Sequence, residues 1–405
     1  MMSPRLLFLT PDLPYPPHQG AALRTYNLLK NLAPRHEVSL LSFADGPDAA
    51  KRVDALAKYC AGVTTVSPPR RSGAQRMLSV LFSPLPDMAL RLPSVEFANQ
   101  LRMLLTSERF DAVQVEAIEM AQYGLAIAKS TPGPASRVVF DDINAEYLLQ
   151  RRAFEADFKQ PRRWLGALYS LIQWRKLQRY EAQVCRHMDD VVVVSQADRE
   201  ALRRLVPELQ CTVVPNGVDT DYFQPTDPRI ESDLELVFTG KMDFRPNVDA
   251  VLWFAEDILP LIHEHLPGTS LTVVGRDPHR RLAAVRNLPQ VTVTGYVDDV
   301  RPYIARASVF VVPLKVGGGT RLKLLQAMSM AKAIVSTSLG CEGIDVEHGR
   351  HLIVADDPAG FASAVIELME DPGKRRELGL AARSEACSQH DWKQITPLLE
   401  KVYEG

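Results

Sequence analysis

The sequence predicts an α/β protein built from two doubly wound parallel-sheet domains in tandem. Three observations carry this. Short runs rich in β-branched and aromatic residues alternate with longer amphipathic stretches, the rhythm of a parallel sheet covered by crossover helices. The rhythm pauses once, in the acidic, proline-containing stretch Asp219–Asp233, and then starts again. The 405 residues are too many for one ordinary core and suit two. In the first half the runs predict strands near Arg5–Thr10, Glu37–Phe43, Val63–Val66, Asp111–Val115, Arg137–Phe140, Asp190–Val194 and Thr212–Val214. In the second they fall near Leu234–Thr239, Ser270–Val274, Gln290–Thr294, Ser308–Val312, Lys332–Ser336 and His351–Val354. The expected boundaries are therefore 1–218, a linker at 219–233, and 234–388. Ligands of such sheets bind at the carboxyl ends of the strands, and two units in tandem imply a cleft.

Composition removes several classes. An apolar fraction of 46% with 24% charged residues is that of a globular chain. A formal net charge of −2 gives no field to collect nucleic acid, which is not an expected partner. The five cysteines, Cys60, Cys185, Cys211, Cys341 and Cys387, are scattered and form no CxxC pair, so a reducing cytoplasm is expected. The apolar run Leu6–Leu9 meets Asp12 almost at once, far short of the roughly 20 residues of a spanning helix. No metal is expected: His263 and His265 stand at i, i+2 on a helix and point apart, and the Asp pairs at 141–142, 189–190, 298–299 and 356–357 flank strands as turn or cap residues.

Two segments combine basic and apolar residues. Pro68–Leu92 mixes arginines, prolines and aliphatic residues, and Arg151–Arg179 reads as one long helical stretch in which arginines and lysines surround Trp164, Leu165, Leu168 and Trp174. Such segments are read either as solvated helices packing an apolar stripe on their own domain, or as a peripheral contact with an anionic membrane surface.

The most informative stretch is VVPLKVGGGTRLKLLQAM at 311–328. A buried strand runs to Pro313, Gly317, Gly318 and Gly319 form a loop, and Thr320 is expected as the N-cap of a helix with Leu322, Leu325 and Met328 on its apolar face. Glycines let a phosphate approach the backbone, and the free N–H groups of a first helical turn point at it. Arg321 and Lys323 add two cations where the helix dipole is already positive, at roughly 0.3–1 kcal/mol each. A bound diphosphate turns that penalty into attraction.

At these residues the chain resembles a known family. VVPNGVDTDYF at 213–223, FTGKMDFRPN at 238–247, GYVDDV at 295–300 and the 317–328 stretch, in this order, are similar to the family 4 glycosyltransferases of the GT-B fold, the retaining group that uses nucleotide-sugar donors. FDDINAEYLLQRR at 140–152 and SQADRE at 195–200 fit the first half of the same family, and the second half most resembles members that assemble bacterial exopolysaccharide.

The resemblance implies a set of roles. Gly240, Lys241 and Arg245 join the 317–323 stretch in gripping the donor diphosphate, Arg245 standing one residue from the family's usual lysine. Tyr296 and Val297, after Gly295, meet the nucleobase through the main chain. Gln326 meets the ribose, at a position where the family usually has a glutamate; the partner glutamate of that motif is here Gly318. Gly20, at the start of a helix, lies beside the donor phosphates, and His18, Arg24 and Glu116 are candidate acceptor ligands. Asp142 and Glu146 are the candidate catalytic carboxylates, in a run where relatives carry a histidine and this chain has Ile143. Residues 389–405 are implied to form a helix returning to the first domain.

The expected function is thus a hexosyltransferase-type enzyme moving a sugar from a nucleotide-diphosphate donor to a glycan or lipid-linked acceptor. No cofactor or metal is expected, because cationic side chains and N–H groups neutralise the departing diphosphate, which itself assists the incoming hydroxyl. Gln326, Gly318 and Ile143 motivate an alternative, a degenerate member that binds nucleotide as a regulatory or scaffold subunit. A sugar-nucleotide epimerase of the same architecture ranks third.

Overall fold

In the computed structural model, which describes residues 4–17, 20–129, 137–159, 161–227, 230–317 and 321–404, the chain forms two compact units. The first comprises residues up to Pro215 together with those from Ile395 on; the second comprises Asn216–Gln394.

The first unit is a seven-stranded parallel sheet. Its strands are β1 (Arg5–Thr10), β2 (Glu37–Phe43), β3 (Gly62–Val66), β4 (Ala112–Glu116), β5 (Arg137–Asp142), β6 (Asp190–Val193) and β7 (Cys211–Val213), in the order β3-β2-β1-β4-β5-β6-β7. The second unit is a six-stranded parallel sheet of β8 (Glu235–Thr239), β9 (Ser270–Val274), β10 (Val291–Val293), β11 (Val309–Val312), β12 (Ala333–Ser336) and β13 (Ile353–Val354), in the order β10-β9-β8-β11-β12-β13. The central strands are apolar at nearly every position because helices cover both faces. Leu9 sits opposite Leu41 and Val115, and Phe310 opposite Ile334 and Val237.

Topology decides where ligands can bind. Strand order reverses between β1 and β4 in the first unit and between β8 and β11 in the second, so the connections leave in opposite directions and open a crevice at the carboxyl ends of those strands. The residues that follow β1, β4, β8 and β11 are the ones to inspect.

Two expectations need correction. Residues 219–233 are not a linker, for they belong to the second unit: Phe223 is buried in its core, and Glu231 accepts from Lys332 Nζ (2.5 Å) and Arg375 Nε (3.0 Å), two nearly buried cations that need a carboxylate. The stretch 151–179 is not one helix. It divides into Glu146–Phe158, a 3-10 turn at Pro161–Arg163 and Trp164–His187, since Pro161 has no N–H to continue the first. The last helix, Trp392–Glu404, starts in the second unit and ends in the first, where Tyr403 OH donates to Gln114 Oε1 (3.1 Å) and Glu400 meets His36 Nε2 (2.7 Å) and Arg35 Nε (2.8 Å).

Candidate functional site

In the second unit, a glycine stands at or beyond the carboxyl end of each of four adjacent strands. Gly240 follows β8, Gly275 follows β9, Gly295 lies just beyond β10 and Gly317 lies beyond β11; all four have positive φ. Gly275 pairs with Gly295 in an antiparallel bridge, and Gly240 N donates to Val274 O at 2.9 Å. A Cβ built on Gly275 would stand 1.7 Å from Gly240 O, so only a hydrogen fits there and the two strand ends lie against each other.

Asn247, in the first turn of the helix Arg245–Trp253, locks this edge. Its Nδ2 donates to Lys241 O (2.9 Å) and its Oδ1 accepts from Lys323 Nζ (2.8 Å). The Lys323 ammonium also lies 3.9 Å from the centroid of the Phe238 ring and reaches the space a side chain on Gly240 would fill. Burial, followed by the nearby Arg321 cation, holds the Lys323 pKa well below that of an ordinary lysine. Arg321 is 8% exposed, and its Nη2 would lie 3.5 Å from a Cβ on Gly317, which also meets Pro246. Two desolvated cations therefore stand together beside main-chain turns at a topological switch point, an arrangement suited to a multiply charged anion.

Other expected donor residues lie along the same edge. Lys241 pairs with Asp243 (3.1 Å) and Arg245 with Asp249 (3.4 Å), both arginine and lysine remaining half-exposed. Asp249 also holds Arg281 (2.6 Å), so these loop charges are partly neutralised where they stand. Tyr296 is exposed, Val297 packs on the edge of the core, and Gln326 is half-buried one turn beyond Lys323 on the helix Leu322–Ser329. That helix begins one residue later than expected: Arg321, in a non-helical conformation, takes the N-cap position assigned to Thr320. Gly318, Gly319 and Thr320 lie outside the described residues, as does His18.

In the first unit, Gly20 opens the helix Gly20–Leu32 and is exposed. Arg24, expected to touch an acceptor, is instead fully enclosed. Its Nε and Nη2 donate to the two oxygens of Asp141 (2.9 and 3.2 Å), and its Nη1 to Val214 O (3.0 Å) and Pro215 O (3.1 Å). Gln114 Nε2 donates to the same carboxylate (3.1 Å). A guanidinium so committed ties β5 to the chain leaving β7. Glu116, also expected to face an acceptor, is 1% exposed and bonds the Thr25 hydroxyl. Burial, then the negative charge of Asp141, push its pKa up to about 8. The Thr25 hydroxyl has one proton and also bonds Ala21 O (3.1 Å), so both bonds form when Glu116 is protonated.

The end of β5 carries a second group of carboxylates. Asp142, expected to be catalytic, is 1% exposed, and its Oδ2 has no hydrogen-bond partner among the described residues. Burial first, then Glu181, Asp198 and Glu146, raise its pKa well above the ordinary range, and its side chain is enclosed by the protein. Glu181, from the helix Trp164–His187, is fully buried and accepts from Tyr147 N with both oxygens (3.2 Å each), capping the helix that starts at Glu146. Glu146 is half-buried, receives a long bond from Asn144 Nδ2 (3.4 Å), and is pushed up to about 7, by burial first and by Glu119 next. Of the two expected catalytic carboxylates, Glu146 is the one that solvent reaches.

Asn247 and Glu181 were not among the expected site residues. Glu181 had a signal in the sequence, since it falls on the stripe Leu177–Val184–Cys185, where a carboxylate on an apolar helix face must have a buried partner. Asn247 had none, because its partners come from other parts of the chain. Among the described residues there is no group of three or more His, Cys, Asp or Glu able to hold a metal ion.

Comparison with known proteins agrees with this anatomy. The family model described as Glycosyltransferase Family 4 matches residues 18–222, and that described as Glycosyl transferases group 1 matches residues 233–371. An uncharacterized 44.6 kDa protein in the cps region of Klebsiella pneumoniae is 22% identical over 404 residues, covering 96% of this chain and 97% of that protein. Among solved structures, HepE of Anabaena in complex with UDP superposes with a TM-score of 0.70 at 14% identity, covering 99% of each chain. Sucrose-phosphate synthase from Thermosynechococcus elongatus does so with a TM-score of 0.72 at 17% identity, covering 99% of this chain and 98% of the other.

Proposed function

This chain belongs to glycosyltransferase family 4 and has its two-domain GT-B fold, and from that premise we propose a retaining sugar transfer from a nucleoside-diphosphate donor, held by the second unit, to a glycan or lipid-linked acceptor. A hexose is the sugar class we favour, in the synthesis of exopolysaccharide or another cell-surface glycan. The relative from a cps region supports that setting.

The observation that carries the reading is the pairing of Arg321 and Lys323, both drawn inward, beside a rim of strand-ending glycines. A cation withdrawn from water, as Lys323 is, gains most when a phosphate arrives. Gly240, Lys241, Arg245 and Gly317 complete the diphosphate contacts, Gln326 takes the ribose, and the main chain at Tyr296 and Val297 takes the base. UDP, which the Anabaena neighbour binds, is the first nucleotide to test.

The developing negative charge on the departing diphosphate meets these cations and N–H groups, so its departure is eased without a metal. On the acceptor side Glu146 titrates near neutrality and is half-open to solvent, which suits a residue that exchanges a proton with an incoming hydroxyl. The experiment is a thermal-shift series with UDP, GDP, ADP and their sugars on the full chain, followed by transfer assays. Arg321→Ala should weaken nucleotide binding and lower transfer by orders of magnitude. Unchanged binding and transfer would refute the site.

A second reading, a nucleotide-binding subunit without turnover, is favoured by the amide of Gln326 in place of a carboxylate. Turnover of any donor by the purified chain would eliminate it.

A further inference from the structure

We propose that one face of the first unit, formed by the helices Gly73–Phe82, Glu146–Phe158 and Trp164–His187, docks on the surface of an anionic lipid bilayer. The first of these helices buries none of its side chains. It is held by polar ties: a capping box of Ser72 and Gln75, Lys176 Nζ donating to Ser79 O (3.3 Å) and Val80 O (2.7 Å), and Arg71 Nη2 donating to Ser79 Oγ (2.6 Å). Anchored this way, its apolar stripe of Leu78, Leu81 and Phe82 faces solvent, Phe82 being 79% exposed. A ten-residue helix that covers nothing has little reason to hold an apolar stripe unless another phase covers it.

The neighbouring helix continues the surface. Arg76 Nη2 reaches Tyr169 OH (3.4 Å), bringing the stripe beside the start of Trp164–His187, where Trp164, Leu165 and Leu168 are exposed, Leu165 at 87%. Trp164 Nε1 donates to Phe158 O (3.2 Å), and Phe158, at the end of the third helix, is exposed as well. The other half of the long helix does what a globular helix should, burying Leu177, Tyr180 and Val184. In the half that joins this face the buried residues are Ala167, Ser170 and Gln173, while the large apolar side chains of Trp164, Leu165 and Leu168 stay exposed.

Charge selects the partner. Residues 151–179 carry eight lysines and arginines against Glu155 and Asp157 alone, and 70–82 carry Arg70, Arg71 and Arg76, the last two paired with Asp87 (3.2 and 3.0 Å), whereas the whole chain is at −2. Arg70, Lys159 and Arg162 are exposed around the apolar residues. Large apolar side chains with an arginine and lysine border, and a tryptophan among them, match the layered acyl and headgroup zones of an anionic bilayer. An acidic protein would satisfy the charges and leave the leucines wet. No helix among the described residues is long and apolar enough to cross a membrane, so the contact is a surface one.

The test uses the full chain and sucrose-loaded vesicles, with no nucleotide present, so that its outcome is separate from that of the donor reading. Vesicles of equal parts phosphatidylcholine and phosphatidylglycerol should sediment the protein at low salt, and phosphatidylcholine alone should not. Lys159→Glu with Arg162→Glu should weaken partition by about twenty-fivefold or more, at roughly fivefold per cation before the added repulsion. Phe82→Ser with Leu165→Ser should weaken it at least about tenfold while leaving the melting temperature unchanged, since both side chains are exposed. Failure to sediment with the anionic vesicles overturns the proposal. So does an apolar double variant that sediments like the parent, or equal retention by polyglutamate that ignores the apolar substitutions, which would point to an acidic protein. A dimer dispersed by Leu165→Ser, with no vesicle binding, would assign the face to a second copy.

Discussion

The substitution Lys323→Met separates a side chain that grips an anion from one that braces the fold. In the free protein the change removes a charge-assisted bond to Asn247, worth about 1.5–3 kcal/mol, but also relieves a desolvated cation and its repulsion by Arg321, so the net change in stability should be about 1–2 kcal/mol or less. With a diphosphate present there is no such offset: losing one charged bond should weaken binding roughly 10–150-fold. UDP at about 100 times its dissociation constant stabilises the parent by about 2.7 kcal/mol, and a variant binding about 100-fold more weakly by about 0.4 kcal/mol. For a unit of this size these become shifts of about 5–11 °C and about 1–2 °C. Calorimetric scans with and without UDP read both quantities. Because burial has lowered the Lys323 pKa and a bound anion should raise it again, affinity should fall as pH rises above that lowered value. Equal UDP shifts in parent and variant, or a free-protein loss above about 10 °C, would refute the reasoning.

Other predictions follow from the same geometry. Gly275→Ala forces a Cβ into Gly240 O, and should lower stability by roughly 1–3 kcal/mol and abolish the UDP shift, read in the same scans. Glu116, about 4.5 in a free chain and about 8 when folded, holds an extra proton in the native state between those values; stability should therefore fall as pH rises from about 4.5 to 8, with Glu146 adding to the slope up to about 7. Melting temperatures at pH 5.5 and 8.5 check this, and Glu116→Gln should flatten the trend. If Glu146 takes the acceptor proton, transfer should rise with pH through about 7, and Glu146→Gln should lower kcat by roughly 10²–10⁴ and erase the inflection. Transfer should survive exhaustive treatment with a chelator, and a requirement for added divalent cation would contradict the cationic grip proposed here.

The two sheets were legible because each central strand is buried on both faces, which writes an apolar run such as Leu6–Leu9 or Val309–Val312 directly into the sequence. Gly317, Arg321 and Lys323 were legible for another reason: glycine and cation at one strand–helix junction lie within seven residues. What sequence reasoning could not supply is direction. Arg24, Glu116 and Asp142 have the residue types of a site, yet they turn inward to meet Asp141, Thr25 and the Glu181 cluster, partners separated from them by up to 117 residues. The linker reading failed similarly, because Glu231 shows its purpose only when Lys332 and Arg375 are beside it. Spacing reveals neighbours along the chain, and polar burial is settled by neighbours across it.

The first unit recruits residues 395–404 after the chain has passed through the whole of the second. Gln114, His36 and Arg35 thus wait for Tyr403 and Glu400 while some three hundred residues are still being synthesised. During translation the earlier sheet can assemble, but one flank stays wet until the last helix arrives, so its completion is tied to that of its neighbour. Deleting the final turns, or fusing a bulky partner close to Tyr403, should consequently damage the half of the molecule made first.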